Sequence, residues 1–512
     1  MLTTLRLPAL AAALTVALPA ALSAQDAECA VDLAQPAQLF QANLLIQRAA
    51  GDPAGDGTPR SLRDAARQLS DDRRFTGNPM GQAFLKAQLY IVWLHRDETP
   101  ALMSLADLNF GRDRNTMVDL VGAADSIFTM IEEAHPGCAD ETTRWRQSKP
   151  WSDRIGAAYR YFQASELDSA SHYAAQARRL DRSSPYLFNV LAQIALQRGQ
   201  QEAGIALLDT AIAAAATDTA MADTRRQLRM QQAAQLQEWG SGLPDQAQQK
   251  AALTRASRSF LTLAQETPAH EESPMLISVG LDIAMMLQDS ALIAMGLDGL
   301  KSSAAEYADL ALLIGGEVAR MTGRADDAIT LYGETIKKNP NARDANYFLA
   351  YLLIDGGRHE EAVPMLEKLL EIDPANGDNY ILKSIVVRNR ATVANERLRA
   401  ERNAQARATI QREITAHNRE ADQLGAQEAA LGLKLQVIGF ERREAGAKLN
   451  GTIENRGQAA KAYTVEVSFL NLAGEAVETK SVTTESIAPN ATAGFELEAT
   501  APGIVAWRYV LK

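Results

Sequence analysis

Apolar side chains recur at helical spacing from about residue 36 to about residue 430, and then the rhythm changes to alternation. Before residue 150 the pattern predicts helices over 36–50, 61–69, 79–95 and 116–134, with Ser61 and Asp64 forming a capping box at the start of the second. Helices are also predicted over 246–265, where Ala256 and Phe260 lie one turn apart ahead of Pro268, and over 274–288. The glycines and proline of 238–245 read as an inserted loop between helices. After Gly432, Leu433, Leu435 and Val437 alternate, as do Leu449, Gly451 and Ile453, then Tyr463, Val465, Val467 and Phe469, then Phe495 and Leu497, and last Val505, Trp507, Tyr509 and Leu511. Turn residues separate these runs near 444–446, 455–457, 473–474 and 488–490, so this segment is predicted to be a β-sandwich of about seven strands.

The helical part repeats itself. Residues 309–340 and 343–374 overlay with an offset of 34, which brings Gly323 onto Gly357, Ala328 onto Ala362, Tyr332 onto Leu366 and Pro340 onto Pro374. Each landmark has a physical reason. The glycine ends a first helix in a left-handed conformation. The alanine sits where two helices cross closely, and the large apolar residue lies one turn further on the same side. The proline cannot continue the second helix and so opens the next unit. Two upstream windows opening at Trp151 and Pro185 show the same offset, with Ala158 on Ala192, Ala174 on Leu208 and Ala177 on Ala211, and Gly199 at the second turn. In them Ala170 falls on Gly204 in the overlay, and Arg182 and Ala216 stand where the proline is expected, so they read as degenerate copies.

This punctuation resembles the tetratricopeptide repeat (TPR). The resemblance implies a mainly α chain, a TPR-like α-solenoid followed by a small all-β sandwich. It divides into a helical N-terminal cap over 25–150, a solenoid over 151–380 with its clearest repeats at 309–342 and 343–376, a long helical connector over 381–432, and the sandwich over 433–512. The concave face of such an array is lined by first helices. By the resemblance, the partner-binding positions here are Tyr159, Phe162, Tyr186, Asn189, Gln193, Glu317, Arg320, Tyr347, Tyr351, Asp355 and Arg388. Tyr347 and Tyr351, one turn apart, are the aromatic anchors among them. The lysines, asparagines and arginine with which the family clamps a terminal carboxylate are not found, so an extended or helical segment of a protein is the expected ligand. The sandwich resembles the FxLYD type of exported bacterial proteins over 450–455, 467–474 and 487–490, which implies a packing or adhesion module.

The connector is arginine-rich, with Arg388, Arg390, Arg397, Arg399, Arg402, Arg407, Arg412 and Arg419, and it has no proline or glycine before Gly425. Glutamates are interspersed, which is the pattern of a solvated helix. Ile410, Ile414, Ala421, Leu424 and Leu431 follow a 4-3 alternation with His417 in one slot, predicting a short coiled or hairpin seam.

At the N-terminus Arg6 precedes an apolar run from Leu7 to Leu22, and Ser23 and Ala24 follow, the layout of a secretory signal peptide over 1–24. Pro8, Pro19, Asp26 and Glu28 leave no full membrane span there, and no later stretch is long and apolar enough to be one. An exported, periplasmic or extracellular chain is therefore expected. In that setting Cys29 and Cys138 have only each other as intramolecular partners; a bond between them and two buried thiols are both compatible with the sequence.

Composition narrows the function. With 52 basic against 63 acidic residues the net charge is -11, which argues against nucleic acid as a partner. His95, His135, His172, His270, His359 and His417 are scattered without metal spacing, and the pair His135 and Cys138 is too small a ligand set. No nucleophile elbow or phosphate loop occurs, so no catalytic, metal or cofactor site is assigned. The reading is a non-enzymatic envelope scaffold or adaptor that binds protein partners through a concave helical face. The alternatives are an envelope-polymer or glycan binder using the sandwich and, more remotely, a hydrolase without a recognisable motif. Oligomeric state is not specified.

Overall fold

The computed structural model describes Cys29, residues 31–96 and residues 99–512; the expected signal peptide lies outside the described residues. The chain divides into two compact units, one ending at Met221 and one beginning at Ala222, so the run expected over 151–380 is shared between them.

In the first unit α1 (Ala37–Gly51), α2 (Thr58–Leu69) and α3 (Pro79–Leu94) precede a two-stranded ribbon, β1 (Leu102–Ser104) with β2 (Met117–Asp119), which encloses the single turn α4 (Leu105–Leu108). Then come α5 (Leu120–Ala134) and α6 (Ala139–Arg146), followed by two helix pairs, α7 (Lys149–Gln163) with α8 (Leu167–Leu180) and α9 (Pro185–Gln197) with α10 (Gln201–Ala215). Ser61 and Asp64 do not cap α2. That helix starts a turn earlier at Thr58 with Pro59 in its first turn, Ser61 donates to Gly57 O (3.2 Å), and Asp64 pairs with Arg67 (2.8 Å). The helix expected from 116 begins at Leu120, because Asp119 caps it by accepting from Gly122 N (3.1 Å) and the residues before it pair as β2.

One apolar core runs from Val31 to Ile194, so the helices before 150 share their interior with α7, α8 and α9. Cys29 and Cys138 are joined by a disulfide. Arg146 is buried in the same unit, held by Asp125 (2.8 Å), Glu132 (2.9 Å) and Leu180 O (3.0 Å), and so ties α5, α6 and α8 together.

The second unit is a TPR-like stack of helix pairs: α11 (Ala222–Gly242) with α12 (Gln246–Glu266), α13 (Ser273–Met286) with α14 (Ser290–Ser302), α15 (Asp309–Met321) with α16 (Ala325–Lys338), α17 (Arg343–Asp355) with α18 (Val363–Ile372), and α19 (Gly377–Ala400) with α20 (Ala404–Ala430). Gly323 and Gly357 have φ of 73° and 75°, the left-handed turn that their spacing demanded. Ala328, Ala362, Tyr332 and Leu366 are buried at the crossings.

Two expected features of this region change. Of the segment 238–245 only 243–245 form a loop. Helix α11 continues to Gly242, because Gly240 lets α12 approach so closely that a Cβ there would meet Ala252 Cβ at 3.0 Å. The connector is not one helix either, for Asn403 caps a new one by accepting from Gln405 N (2.9 Å) and Ala406 N (3.1 Å), and α20 folds back along α19. In that hairpin Ile410 and Ile414 bury against Ala394, and Ala421 and Leu424 against Val387.

The C-terminal segment forms two three-stranded antiparallel sheets, β3 (Leu433–Arg443), β4 (Gly446–Asn455) and β7 (Thr492–Ala499) in one, β6 (Ala476–Thr483), β5 (Thr464–Leu470) and β8 (Ala506–Leu511) in the other. Leu449 pairs with Leu497 and Val467 with Tyr509, and their inward side chains make the core. The edge strand β6 lacks a buried face, which is why alternation did not mark it.

Candidate functional site

Left-handed residues set the register of the helix pairs. Positive φ occurs at Ser165 (62°) and Gly199 (75°) in the first unit, and at Gln288 (52°), Gly323 (73°) and Gly357 (75°) in the second. The residues six positions before these turns are Tyr159 and Gln193, and then Asp282, Glu317 and Tyr351. Within each unit they occupy an equivalent place on their first helices. Asp282 is new to this set, because its turn carries a glutamine where a glycine search finds nothing.

In the first unit the candidate residues are drawn inward. Tyr159, Phe162 and Tyr186 are half-buried against the core, and Asn189 donates from Nδ2 to the Tyr159 hydroxyl (3.0 Å), linking α9 to α7. Burial pushes the Tyr159 phenol up to about 12, so it stays neutral. Gln193 is half-buried on the same side of α9. This cluster knits two helix pairs together.

The second unit divides its candidates differently. Glu317 pairs with Arg320 and accepts from the Tyr332 hydroxyl (2.9 Å), whose phenol is raised by burial and by that carboxylate. The Arg320 guanidinium lies over Phe348 (4.2 Å), and Phe348 meets Tyr332 (6.0 Å) and the edge of Tyr347 (5.3 Å). The Arg343 guanidinium lies over the Tyr347 ring (4.7 Å). Glu317, Arg320 and Tyr347 are thus fixed by their neighbours, whereas Tyr351 is 47% exposed, Asp355 is exposed at the end of α17, and Arg388 is exposed with Asp422 3.7 Å away. One repeat further, Ile381 (49% exposed) and Ile385 (40%) stand 34 residues beyond Tyr347 and Tyr351. Reading 381 onward as a connector hid these two. They belong to α19, the first helix of another pair.

The sandwich docks elsewhere on the same unit, on the turns between pairs. Asp309 and Asn339 join the start of α15 to the end of α16 (2.7 Å), and 34 residues on Arg343 and Asp373 do the same for α17 and α18 (3.0 Å). Arg442 of β3 grips Asp309 with both terminal nitrogens (3.0 and 2.9 Å), and Asn339 Nδ2 also donates to Val505 O (3.2 Å). The Tyr509 hydroxyl donates to Asp373 Oδ1 (2.6 Å) and accepts from Ala375 N (3.0 Å). Ile372 and Ala375 complete the apolar core of the sandwich, so the β domain reads the same place on two successive repeats.

Along α19 and α20, Arg390 pairs with Glu360 (2.7 Å) and Arg397 with Glu413 (3.0 Å), while Arg407 donates to Leu398 O (2.8 Å) and Glu401 O (2.9 Å). Among the described residues no three His, Cys, Asp or Glu side chains come together to hold a metal ion, and no helix is long and apolar enough to cross a membrane.

Comparison with known proteins adds one sequence match: residues 319–382 fit the tetratricopeptide repeat family model. No curated protein sequence matches the chain. Among solved structures, a tetratricopeptide repeat protein from Parabacteroides merdae is 16% identical, covering 55% of this chain and 95% of its own, at a TM-score of 0.25. The pilF protein of Pseudomonas aeruginosa is 14% identical over 44% of this chain and 93% of its own, TM-score 0.22. The yeast Sti1 TPR2AB domain in its pHSP90 complex is 17% identical over 55% and 98%, TM-score 0.20. Superpositions this loose carry no functional weight.

Proposed function

We propose that this protein is an exported adaptor of the cell envelope, which holds a protein partner against the first-helix face of its second unit and performs no chemistry on it. The single observation behind this reading is the stripe made by Tyr351, Ile381 and Ile385, apolar side chains left exposed at equivalent places on two successive first helices. Exposed large apolar residues in register are costly in water and mark contact surfaces. The tetratricopeptide match spans α17 and ends inside α19, which supports a protein-binding role for that face. Export is supported by the leader-like residues 1–24 and by the Cys29–Cys138 bond, since disulfides persist in oxidising compartments. The sandwich, which resembles the FxLYD type, acts in this reading as a brace for the repeats.

The test is photo-crosslinking in cells from Tyr351 and Ile385 replaced singly by benzoylphenylalanine, with Ile438, 71% exposed on the sandwich, as the control position. A discrete adduct from the first two sites and none from the third is expected. Identical patterns at all three, or none at any, refute the reading. Export is tested by cell fractionation with maleimide labelling: both cysteines are expected to be unreactive until reductant is added.

A further inference from the structure

The charges around the exposed stripe specify what kind of segment fits it. Successive first helices are linked across this face: α13 packs on α15, Arg320 of α15 lies on Phe348 of α17, and Asp378 at the start of α19 acts electrostatically on Tyr347 of α17. Every arginine on it has a carboxylate nearby: Arg320 has Glu317, Arg343 has Asp373 (3.0 Å) and Asp344 (3.0 Å), and Arg388 has Asp422 (3.7 Å). The converse does not hold. Among the described residues no cation lies within ion-pair distance of Asp282, Asp355 or Asp378. Asp282 takes only a hydrogen bond from Ser278, and desolvation holds its carboxyl above the ordinary value. Its place on α13 is the one that Tyr351 fills on α17, so carboxylates and apolar side chains share one face.

We propose, on the basis of the protein-binding reading above, that this face takes a segment of a partner protein bearing both apolar side chains and lysine or arginine, its apolar groups on Tyr351, Ile381 and Ile385 and its cations at Asp282, Asp355 and Asp378. Taking the roughly 8 to 10 Å of packed helices as the least step for each of the three intervals, the span from α13 to α19 is on the order of 30 Å. An extended segment of about nine residues covers that distance. The carboxylates give register and rate, the apolar stripe gives most of the affinity.

Three fluorescein-labelled twelve-residue peptides test this by anisotropy with the full-length protein: leucine with lysine, leucine with glutamate, and lysine with serine. The leucine–lysine peptide is expected to bind at least tenfold more tightly than either other, and more weakly as salt rises. Asp282→Asn with Asp378→Asn is expected to weaken it about fivefold, as for two partly exposed ion pairs, and Tyr351→Ala with Ile385→Ala to remove most of the binding. Glu444→Gln with Glu485→Gln makes the same change of net charge on the exposed sandwich surface and is expected to change nothing.

Preference for the leucine–glutamate peptide, unchanged binding in the Asp282/Asp378 variant, an equal loss in the Glu444/Glu485 variant, or no binding by any peptide overturns the assignment of a basic segment. If the Tyr351 crosslink persists in that case, the protein-binding reading survives; if it is lost as well, both fall. Self-association that Tyr351→Ala abolishes makes a second copy of the chain the occupant, which also overturns the proposal.

Discussion

Tyr509→Phe isolates the contact by which the sandwich grips the repeats. The ring stays, 2% exposed and stacked on Trp507 at 6.1 Å, so packing is preserved and a single oxygen is lost. That oxygen donates to the buried Asp373 carboxylate (2.6 Å) and accepts from Ala375 N (3.0 Å). Burial, with Asp373 beside it, holds the phenol well above its ordinary value, so the donor is present at every physiological pH. A hydrogen bond to a charged acceptor contributes about 1.5–3 kcal/mol, and the Ala375 amide is left buried without its partner. Asp373 keeps Arg343 (3.0 Å) and Asn376 (2.9 Å), so no carboxylate is orphaned and the cost is bounded at about 2–4 kcal/mol. At about 1.4 kcal/mol per decade this is a 30-fold or greater rise in local opening. Native-state hydrogen exchange reads it directly: amides of β8 and of the 373–376 turn are expected to exchange at least 30-fold faster, with those of the first unit unchanged as internal reference. Protection in β8 within threefold of the parent refutes the idea that this hydroxyl holds the docking, as does an equal loss of protection along the whole chain.

Three further outcomes follow from local geometry. Cys138→Ser opens a link between residues 109 apart, which in the chain-entropy model removes about 4–5 kcal/mol from the first unit; limited proteolysis is expected to cut before Met221 first, and unchanged resistance there counts against the estimate. Gln288→Gly relieves a left-handed backbone, φ 52°, and is expected to raise stability by about 0.5–1 kcal/mol in urea unfolding; a loss of stability refutes it. Glu478 is held down to about 2 by the Lys480 ammonium and by the Ala501 and Thr500 amides, so its contribution is fully present above the ordinary 4.5 and is lost as pH falls through about 2. An NMR titration of Glu478 with its midpoint near 4.5 contradicts that.

Much of the architecture was legible because the repeat writes its own punctuation. Gly323 and Gly357, Ala328 and Ala362, and the two prolines act within a few residues of themselves, so spacing alone located α15 to α18. Features that depend on partners distant in sequence were not legible. Helix α11 runs through Gly240-Ser241-Gly242 because Gly240 meets Ala252 on another helix, and nothing in 238–245 itself announces that. The break at 401–403 uses no glycine or proline; Glu401 and Asn403 end and restart a helix by bonding backbone amides, a role that their sequence context shares with many solvated helical residues. The strands β1 and β2 are three residues each, too short to show alternation.

The proposed face was half legible for a related reason. A search for glycine at the turn finds Gly199, Gly323 and Gly357 but passes over Ser165 and Gln288, which hold the same left-handed conformation, and so Asp282 drops out of register. At the other end Ala391 stands 34 residues past Gly357, and α19 runs through it, so the periodicity stops while the face continues with Ile381 and Ile385. Asp309, Asn339 and Asp373 look like ordinary turn residues in sequence, yet Arg442, Val505 and Tyr509 clamp them on two successive repeats. The clamp joins the α15–α16 and α17–α18 pairs, and through Tyr509 and Ala375 it reaches the turn that leads into α19, without using Tyr351, Ile381 or Ile385. Ordering a flexible array on binding would oppose affinity; under the proposed function, repeats already tied together by the β domain meet part of that entropic cost during folding.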